Sequence, residues 1–282
     1  MTNRLELNWK LDGFVDEQRY YRSEILIDPE NLPAPKAVLA GDTRTYIDPA
    51  IEIGKTYYTR VSSAKNGVEK ISDALKIYAF NQNLFKINSD FDIDFTDKTG
   101  KVWKKYGNSV VSGGVLRLDG SGDYLTIPES GDYHFVNSED VTIRFKVKLN
   151  AFNSSGIATV FSTYKYTTAD LNYSIRITTN SILIVMWSAQ SPTFSYAIPL
   201  GQEVEISFER KNMIWRAYVN GSQIGTSFTQ TSNYTKYEVM SYLGSAVGEG
   251  YGSGRDLNGT IRNFQIIKGL AVGGGQSITP QL

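Results

Sequence analysis

The sequence predicts an all-β protein made of two successive antiparallel sandwiches. Three observations carry this reading. Apolar residues recur at every second position in many short runs, with almost no stretch at helical spacing. Clusters of Asn, Asp, Ser and Gly separate the runs, and 25 glycines and 18 tyrosines suit a chain of strands and tight turns. A length of 282 residues divides into two domains on a prior of roughly 150 residues each.

The first domain spans residues 1–80. Leu5, Leu7 and Trp9 alternate with polar neighbours, and Tyr21, Ser23, Ile25 and Ile27 do so less regularly. Tyr57, Thr59 and Val61 share one face of a later strand, and Lys65-Asn66-Gly67 supplies the turn after it. Asn81-Gln82-Asn83 and Asn88-Ser89-Asp90 then interrupt the pattern with turn signals, which predicts a short linker at 81–90.

The second domain, 91–282, opens on Phe91-Asp92-Ile93-Asp94-Phe95, a strictly alternating run read as a strand. In residues 118–128 (LDGSGDYLTIP), Tyr124 to Ile127 form a half-buried strand closed by Pro128. Val141, Ile143, Phe145 and Val147 alternate with Thr142, Arg144, Lys146 and Lys148, so one face is buried and the other cationic. Tyr173, Ile175 and Ile177 repeat the pattern. The unbroken apolar run 182–187 reads as a central strand covered on both sides. Val204, Ile206 and Phe208 continue the core, with Glu203, Glu205 and Glu209 pointing outward. Asn220-Gly221, between Val219 and Ile224, is a strong hairpin signal, because a two-residue type I′ turn needs positive φ twice. Phe264 and Ile266, stopped by Gly269, close the core. About a dozen short strands require two packed sheets.

Composition narrows the function. Twenty-nine basic residues balance 29 acidic ones, and no basic stripe with interleaved aromatics occurs, which argues against a nucleic-acid partner. There is no cysteine, so disulfides, thiolate chemistry and cysteine-ligated zinc are excluded together. The N-terminal residues carry no apolar signal-peptide core, and no apolar run is long enough to span a bilayer. Membrane insertion is therefore not expected. Sequons at Asn153, Asn172, Asn220, Asn233 and Asn258 read as chance in an Asn/Ser/Thr-rich chain.

Two resemblances follow from these motifs. Residues 51–72 (IEIGKTYYTRVSSAKNGVEKIS) resemble the late strands of a fibronectin type III domain. That likeness implies a tyrosine-corner role for Tyr57, a buried strand-B position for Trp9 and a core position for Val61. Too few residues precede Leu5 for the family's first strand, so the edge is either open or completed by a partner. In the second domain, 119–128, Phe145 to Val147, Tyr218 to Gly221 and 258–269 resemble, in that order, the laminin-G/concanavalin-like jelly roll, particularly the form recurring in bacteriophage virion proteins. The pair of modules resembles a phage tail-fibre or receptor-binding protein. The resemblance implies synthesis in the host cytoplasm without a signal peptide, a place in the virion tail, contact with other virion tail proteins, and a homo-oligomer, by likeness a trimer. No coiled-coil heptads are present to impose one.

Candidate chemistry follows. Asp90-x-Asp92-x-Asp94 with Asp97 invites a calcium reading, but Phe95 stands where an EF-hand needs Gly and Lys101 where it needs Glu. Alternating acids on a wet strand face explain the run better. A calcium site built from separate loops, using Asp170, Asn172 and Asp256, stays open, and no other cofactor is expected. Glycosidases of the concanavalin-like fold carry E-x-D-x-x-E on one strand. Glu203, Glu205 and Glu209 are the nearest approach here and read as solvated charges. His134 is the sole histidine, and no G-x-S-x-G elbow accompanies it. Exposed aromatics carry the binding expectation, because sugar C–H faces stack on rings while Asn, Asp and Arg read hydroxyls. The ligand-binding candidates are Tyr164 and Tyr166 beside Asp170 and Asn172, then Tyr251 beside Arg255 and Asp256, with Tyr242 on the concave sheet. Trp187 reads as core. The glycine-rich segment 244–254 is expected to be a mobile loop.

The expected function is therefore non-enzymatic recognition of a bacterial surface polysaccharide, reinforced by many copies per particle. A structural virion adaptor that binds protein is the alternative, followed by a polysaccharide-degrading enzyme. Fold alone does not separate the three.

Overall fold

A computed structural model describes residues 5–11, 13–79, 81–128, 130–134, 139–163, 173–186, 191–230 and 240–272. The protein is all-β, and the chain divides into two compact units between Gln82 and Asn83.

Among the described residues, the smaller unit contains seven strands: β1 (Leu5–Asn8), β2 (Glu17–Ser23), β3 (Ala37–Ala40), β4 (Thr45–Asp48), β5 (Thr56–Lys65), β6 (Val68–Ile71) and β7 (Leu75–Tyr78). β1 pairs with β4, while β3-β2-β5-β6 form a second sheet in which β7 also pairs with β5. Leu5, Leu7, Tyr20, Ile51 and Tyr57 fill the core. The Tyr57 hydroxyl accepts the Glu52 N–H at 2.9 Å, which pins the chain entering β5. Asn66 and Gly67 both have positive φ, and Lys65 faces Val68 across them, so the β5–β6 turn is the two-residue type that its sequence demands.

Two sequence expectations shift in this unit. β1 stops at Asn8, so Trp9 lies beyond it, half-buried, with its indole donating to the Gln18 side chain at 2.6 Å. The Gln18 amide in turn donates to the Thr43 carbonyl at 2.6 Å, so Trp9 is held by a polar clamp as well as by packing. Ile25 and Ile27 fall outside β2, and Ile25 is exposed, because the strand ends at Ser23.

Among the described residues, the larger unit contains fifteen strands. They are β8 (Phe85–Ser89), β9 (Lys104–Tyr106), β10 (Val110–Val111), β11 (Leu116–Asp119), β12 (Tyr124–Ile127), β13 (Val141–Ala151), β14 (Ile157–Ser162) and β15 (Tyr173–Thr178). The rest are β16 (Ser181–Met186), β17 (Thr193–Ser195), β18 (Glu203–Lys211), β19 (Ile214–Val219), β20 (Ser222–Thr229), β21 (Ser241–Leu243) and β22 (Asn258–Lys268). An eight-stranded sheet runs β10-β11-β22-β13-β18-β19-β20, with β8 also on β22. A seven-stranded sheet runs β17-β16-β15-β14-β21-β12-β9. Their inner faces share one core that includes Phe145, Phe161, Phe208, Trp215 and Phe264. The Asn220-Gly221 hairpin forms with positive φ at both residues.

The opening of this unit differs from the sequence reading. Residues 85–89, expected within the linker, form β8, because Phe85 and Ile87 bury their side chains against β22. The alternating run 91–95 is not a strand: Ile93 is exposed, and Phe91 turns inward with φ of 58°. A bulky side chain at positive φ is held only where its surroundings over-determine it, here by complete burial.

β16 is also not covered on both sides. Ile182, Ile184 and Met186 are buried, whereas Leu183 and Val185 are half-buried, as befits the strand next to the β17 edge. The cationic face of β13 is neutralised in the sheet. Lys148, Lys146 and Thr142 stand opposite Glu203, Glu205 and Glu209, and Arg144 reaches Glu205 at 3.3 Å. Glu209, expected in solvent, is buried.

Candidate functional site

Alternation along the seven-stranded sheet decides which side chains leave the core. Leu125, Ile127, Leu243, Phe161, Ile175 and Ile177 point inward, so Tyr124, Tyr242, Ser162, Ser174 and Arg176 occupy the outer face. Register then assembles a row of rings. Tyr124 pairs with Tyr106 across β12 and β9, and the rings stack at 4.7 Å with planes 12° apart. Tyr242, on the neighbouring β21, lies 6.0 Å from Tyr124 at 58°. All three are half-buried, so each offers part of a ring to solvent. Lys104 reaches over Tyr106 at 5.1 Å.

The row continues into a polar cluster. Ser162 stands opposite Tyr242, and its hydroxyl donates to Glu249 at 2.8 Å. Glu249 is completely buried and ion-paired with Arg176. Arg255 lies 4.0 Å from the same carboxylate and 3.3 Å above the Tyr251 ring. Tyr251 remains 38% exposed, enough to leave ring surface uncovered. The segment expected to be a mobile loop therefore folds into two short 3-10 turns, Val247–Glu249 and Gly252–Arg255. The reason is electrostatic: a buried glutamate requires its cation, and Arg176 supplies it from β15.

Asp256 is committed within the chain. It is buried, and its carboxylate accepts the Gly122 N–H at 2.9 Å and the Ser245 hydroxyl at 2.5 Å. Burial pushes this carboxyl above its usual range, against those hydrogen bonds, with Asp123 and Asp119 adding to the rise. Asp256 thus clamps the 119–123 loop to the turn beside the tyrosine row. Burial raises the Tyr124 hydroxyl above its ordinary value, with Tyr106, Tyr242 and Asp256 contributing, and burial followed by Tyr106 raises Tyr242. Both therefore stay protonated near neutrality, as hydroxyls that donate and accept.

Of the sequence candidates, Tyr242, Tyr251, Arg255 and Asp256 all belong to this outer side of the seven-stranded sheet. Tyr164, Tyr166, Asp170 and Asn172, together with Trp187, lie outside the described residues. Tyr106 and the ring of Tyr124 were not foreseen as binding surface; their spacing from Tyr242 is a matter of strand register, which no local pattern carries. Among the described residues no group of three or more His, Cys, Asp or Glu side chains is placed to hold a metal ion. Asp97 is buried and accepts from the Asn88 N–H at 2.5 Å and the Ser89 hydroxyl at 2.8 Å, while Asp90 pairs with Lys98 at 2.6 Å. Glu203 and Glu205 are held by Arg262, Arg144 and Lys146. The arrangement offers aromatic stacking, hydroxyls and a guanidinium, which is binding chemistry.

Comparisons agree with the fold. Residues 119–270, more than half of the chain, match the family described as the concanavalin A-like lectin/glucanases superfamily. Domain 4 of AbnA, an extracellular GH43 arabinanase from Geobacillus stearothermophilus solved with arabinotriose, superposes with a TM-score of 0.50 at 18% identity, over 67% of this chain and 94% of that one. The botulinum neurotoxin serotype C1 binding domain gives 0.50 at 13% identity, over 68% of this chain and 50% of its own. A botulinum neurotoxin type C structure, described by its dependence on two ganglioside molecules for cell entry, gives 0.49 at 17% identity over 67% of this chain and 49% of that one. The chain spans about half the length of the neurotoxin domains it matches. No curated protein sequence matches it.

Proposed function

The chain belongs to the concanavalin A-like lectin/glucanases superfamily, and from that premise we propose that it is a non-enzymatic glycan-binding protein that contacts bacterial surface polysaccharide. One observation carries the proposal: the row Tyr106, Tyr124 and Tyr242, continued by Tyr251 under Arg255, on the outer face of the seven-stranded sheet. Sugar rings present apolar C–H faces to such a row, and tyrosine hydroxyls and the guanidinium reach their oxygens. Single-site binding of this kind is weak, and repeated display strengthens it.

The virion setting is part of the same proposal. Support for a fibronectin type III-like first module comes from the β1–β4 pair facing the β3-β2-β5-β6 sheet, and from the Tyr57 hydroxyl bonded to the backbone five residues upstream. Such a module joined to a lectin-like one suits a phage tail-fibre or receptor-binding protein assembled with other tail proteins as a homo-oligomer. The ion pairs that hold Glu203 and Glu205 favour binding over glycoside hydrolysis, which needs one carboxyl free as acid and another as base or nucleophile.

The test is binding of the multivalent protein to a panel of isolated bacterial capsules and lipopolysaccharides, with and without calcium. Saturable binding that is lost in Tyr124→Ala and Tyr242→Ala supports the proposal. Absence of binding across the panel, or binding indifferent to both substitutions, overturns it. Release of reducing ends, lost in Glu205→Gln, would revive the enzymatic reading.

A further inference from the structure

Among the described residues, the two sheets of the smaller unit are unequal: β1–β4 contributes two strands, against five on the other side. The inner face of the β5–β6 hairpin consequently extends past its cover. Val61, Ser63 and Lys65 of β5 and Val68 and Lys70 of β6 share that face by register, and they form the floor of an open groove of about 560 Å³. Trp9, Leu11 and Phe14, from the segment between β1 and β2, form its wall. Phe14 is 88% and Val68 65% exposed, so the groove presents apolar surface to solvent. Among the described residues, β6 pairs only with β5, and no other described strand lies along its outer edge beside the groove. The described lining also carries Lys10, Lys65 and Lys70 and no acidic side chain.

We propose that this groove docks an extended acidic and apolar segment of a partner protein, which adds as a strand to the free edge of β6. Main-chain bonds to β6 hold the segment, and every second side chain faces the groove. Apolar side chains then cover Val61, Val68 and Phe14, while acidic ones meet the three lysines. The charge of the groove selects the occupant: a basic segment would bring like charges together. This inference concerns the smaller unit and is independent of the glycan reading.

The test uses the whole chain and two synthetic eight-residue probes, one alternating Val and Glu, the other alternating Val and Lys. Hydrogen exchange is followed by mass spectrometry. The expected result is saturable binding of the Val–Glu probe, slowed exchange at 68–72, and at least tenfold weaker binding in Phe14→Ser and in Lys70→Glu. Both substituted side chains are exposed, so folding should survive. No binding of the Val–Glu probe, equal binding of both probes, or protection elsewhere overturns the proposal. Concentration-dependent self-association abolished by Phe14→Ser would assign the groove to a second copy instead. Probe binding that appears only after deletion of residues 1–4 would show the groove filled by its own chain; either result defeats the partner-segment assignment.

Discussion

The two outer faces of the larger sandwich are built from the same alternating strands, yet they are chemically opposite. On the eight-stranded sheet, β13 cations face β18 carboxylates: Glu205 lies 3.3 Å from Arg144 and 3.9 Å from Lys146, and Arg262 reaches Glu203 at 3.5 Å. Burial pulls Arg144 below its ordinary value, against Glu205 and Glu209, so that charge is already answered within the sheet. On the seven-stranded sheet, the outer face carries the half-buried rings of Tyr106, Tyr124 and Tyr242, whose water-facing parts are left uncovered. A face that completes its own pairs has little to offer a ligand; a face that ends in uncovered aromatic surface does.

The contrast breaks most severely at Arg176. Arg176→Ala leaves the buried Glu249 carboxylate with only Arg255, 4.0 Å away, to answer it, and loss of one partner of a buried pair costs at most about 3–5 kcal/mol. Urea denaturation measures this, and a Glu249→Gln change in the same background should recover part of the loss. A cost below about 1 kcal/mol would mean that water reaches the pair, as at exposed ion pairs.

The next effect is on binding rather than stability. Removal of one ring of the tyrosine row should weaken glycan binding by roughly two- to tenfold, the equivalent of about 0.5–1.5 kcal/mol per aromatic contact. Glu203→Ala on the opposite face should leave binding unchanged and cost less than about 1 kcal/mol of stability, because its pair with Arg262 is exposed to solvent. Equal loss of binding from both faces would erase the distinction.

The smallest effect is a pH dependence at Asp256. Its carboxyl is raised in the folded state, chiefly by burial, so the folded protein holds that proton more tightly than the unfolded chain does. The stabilising contribution is complete below the ordinary carboxyl range and is lost as pH rises through the raised value. Wild type should therefore gain stability relative to Asp256→Asn on going from pH 7 toward pH 4, a difference readable in paired thermal unfolding curves. A gap that stays constant over this range would contradict the raised value.

These faces were unequally legible in the sequence. The core alternation of β13 and the Asn220-Gly221 turn are local and were readable, because period and φ requirements lie within a few residues. Phe91 to Phe95 shows the same alternation without forming a strand, because β8 already occupies the place beside β22. Glu249 read as part of a loop since its cation comes from a residue 73 positions away. Tyr106 and Tyr124 became a binding surface only through the register of β9 on β12, and the solvated reading of Glu209 failed because the residues packed over a sheet are not written in the strand itself.

The most direct measurement is a glycan-binding titration of wild type, a Tyr124→Ala/Tyr242→Ala double variant and Glu203→Ala, all displayed multivalently against the same capsule or lipopolysaccharide. The account predicts saturable binding by wild type and Glu203→Ala, with binding by the double variant weakened by an order of magnitude or more while it still unfolds in a single cooperative transition. Undiminished binding by the double variant, or loss confined to Glu203→Ala, would move recognition off the seven-stranded face and contradict it.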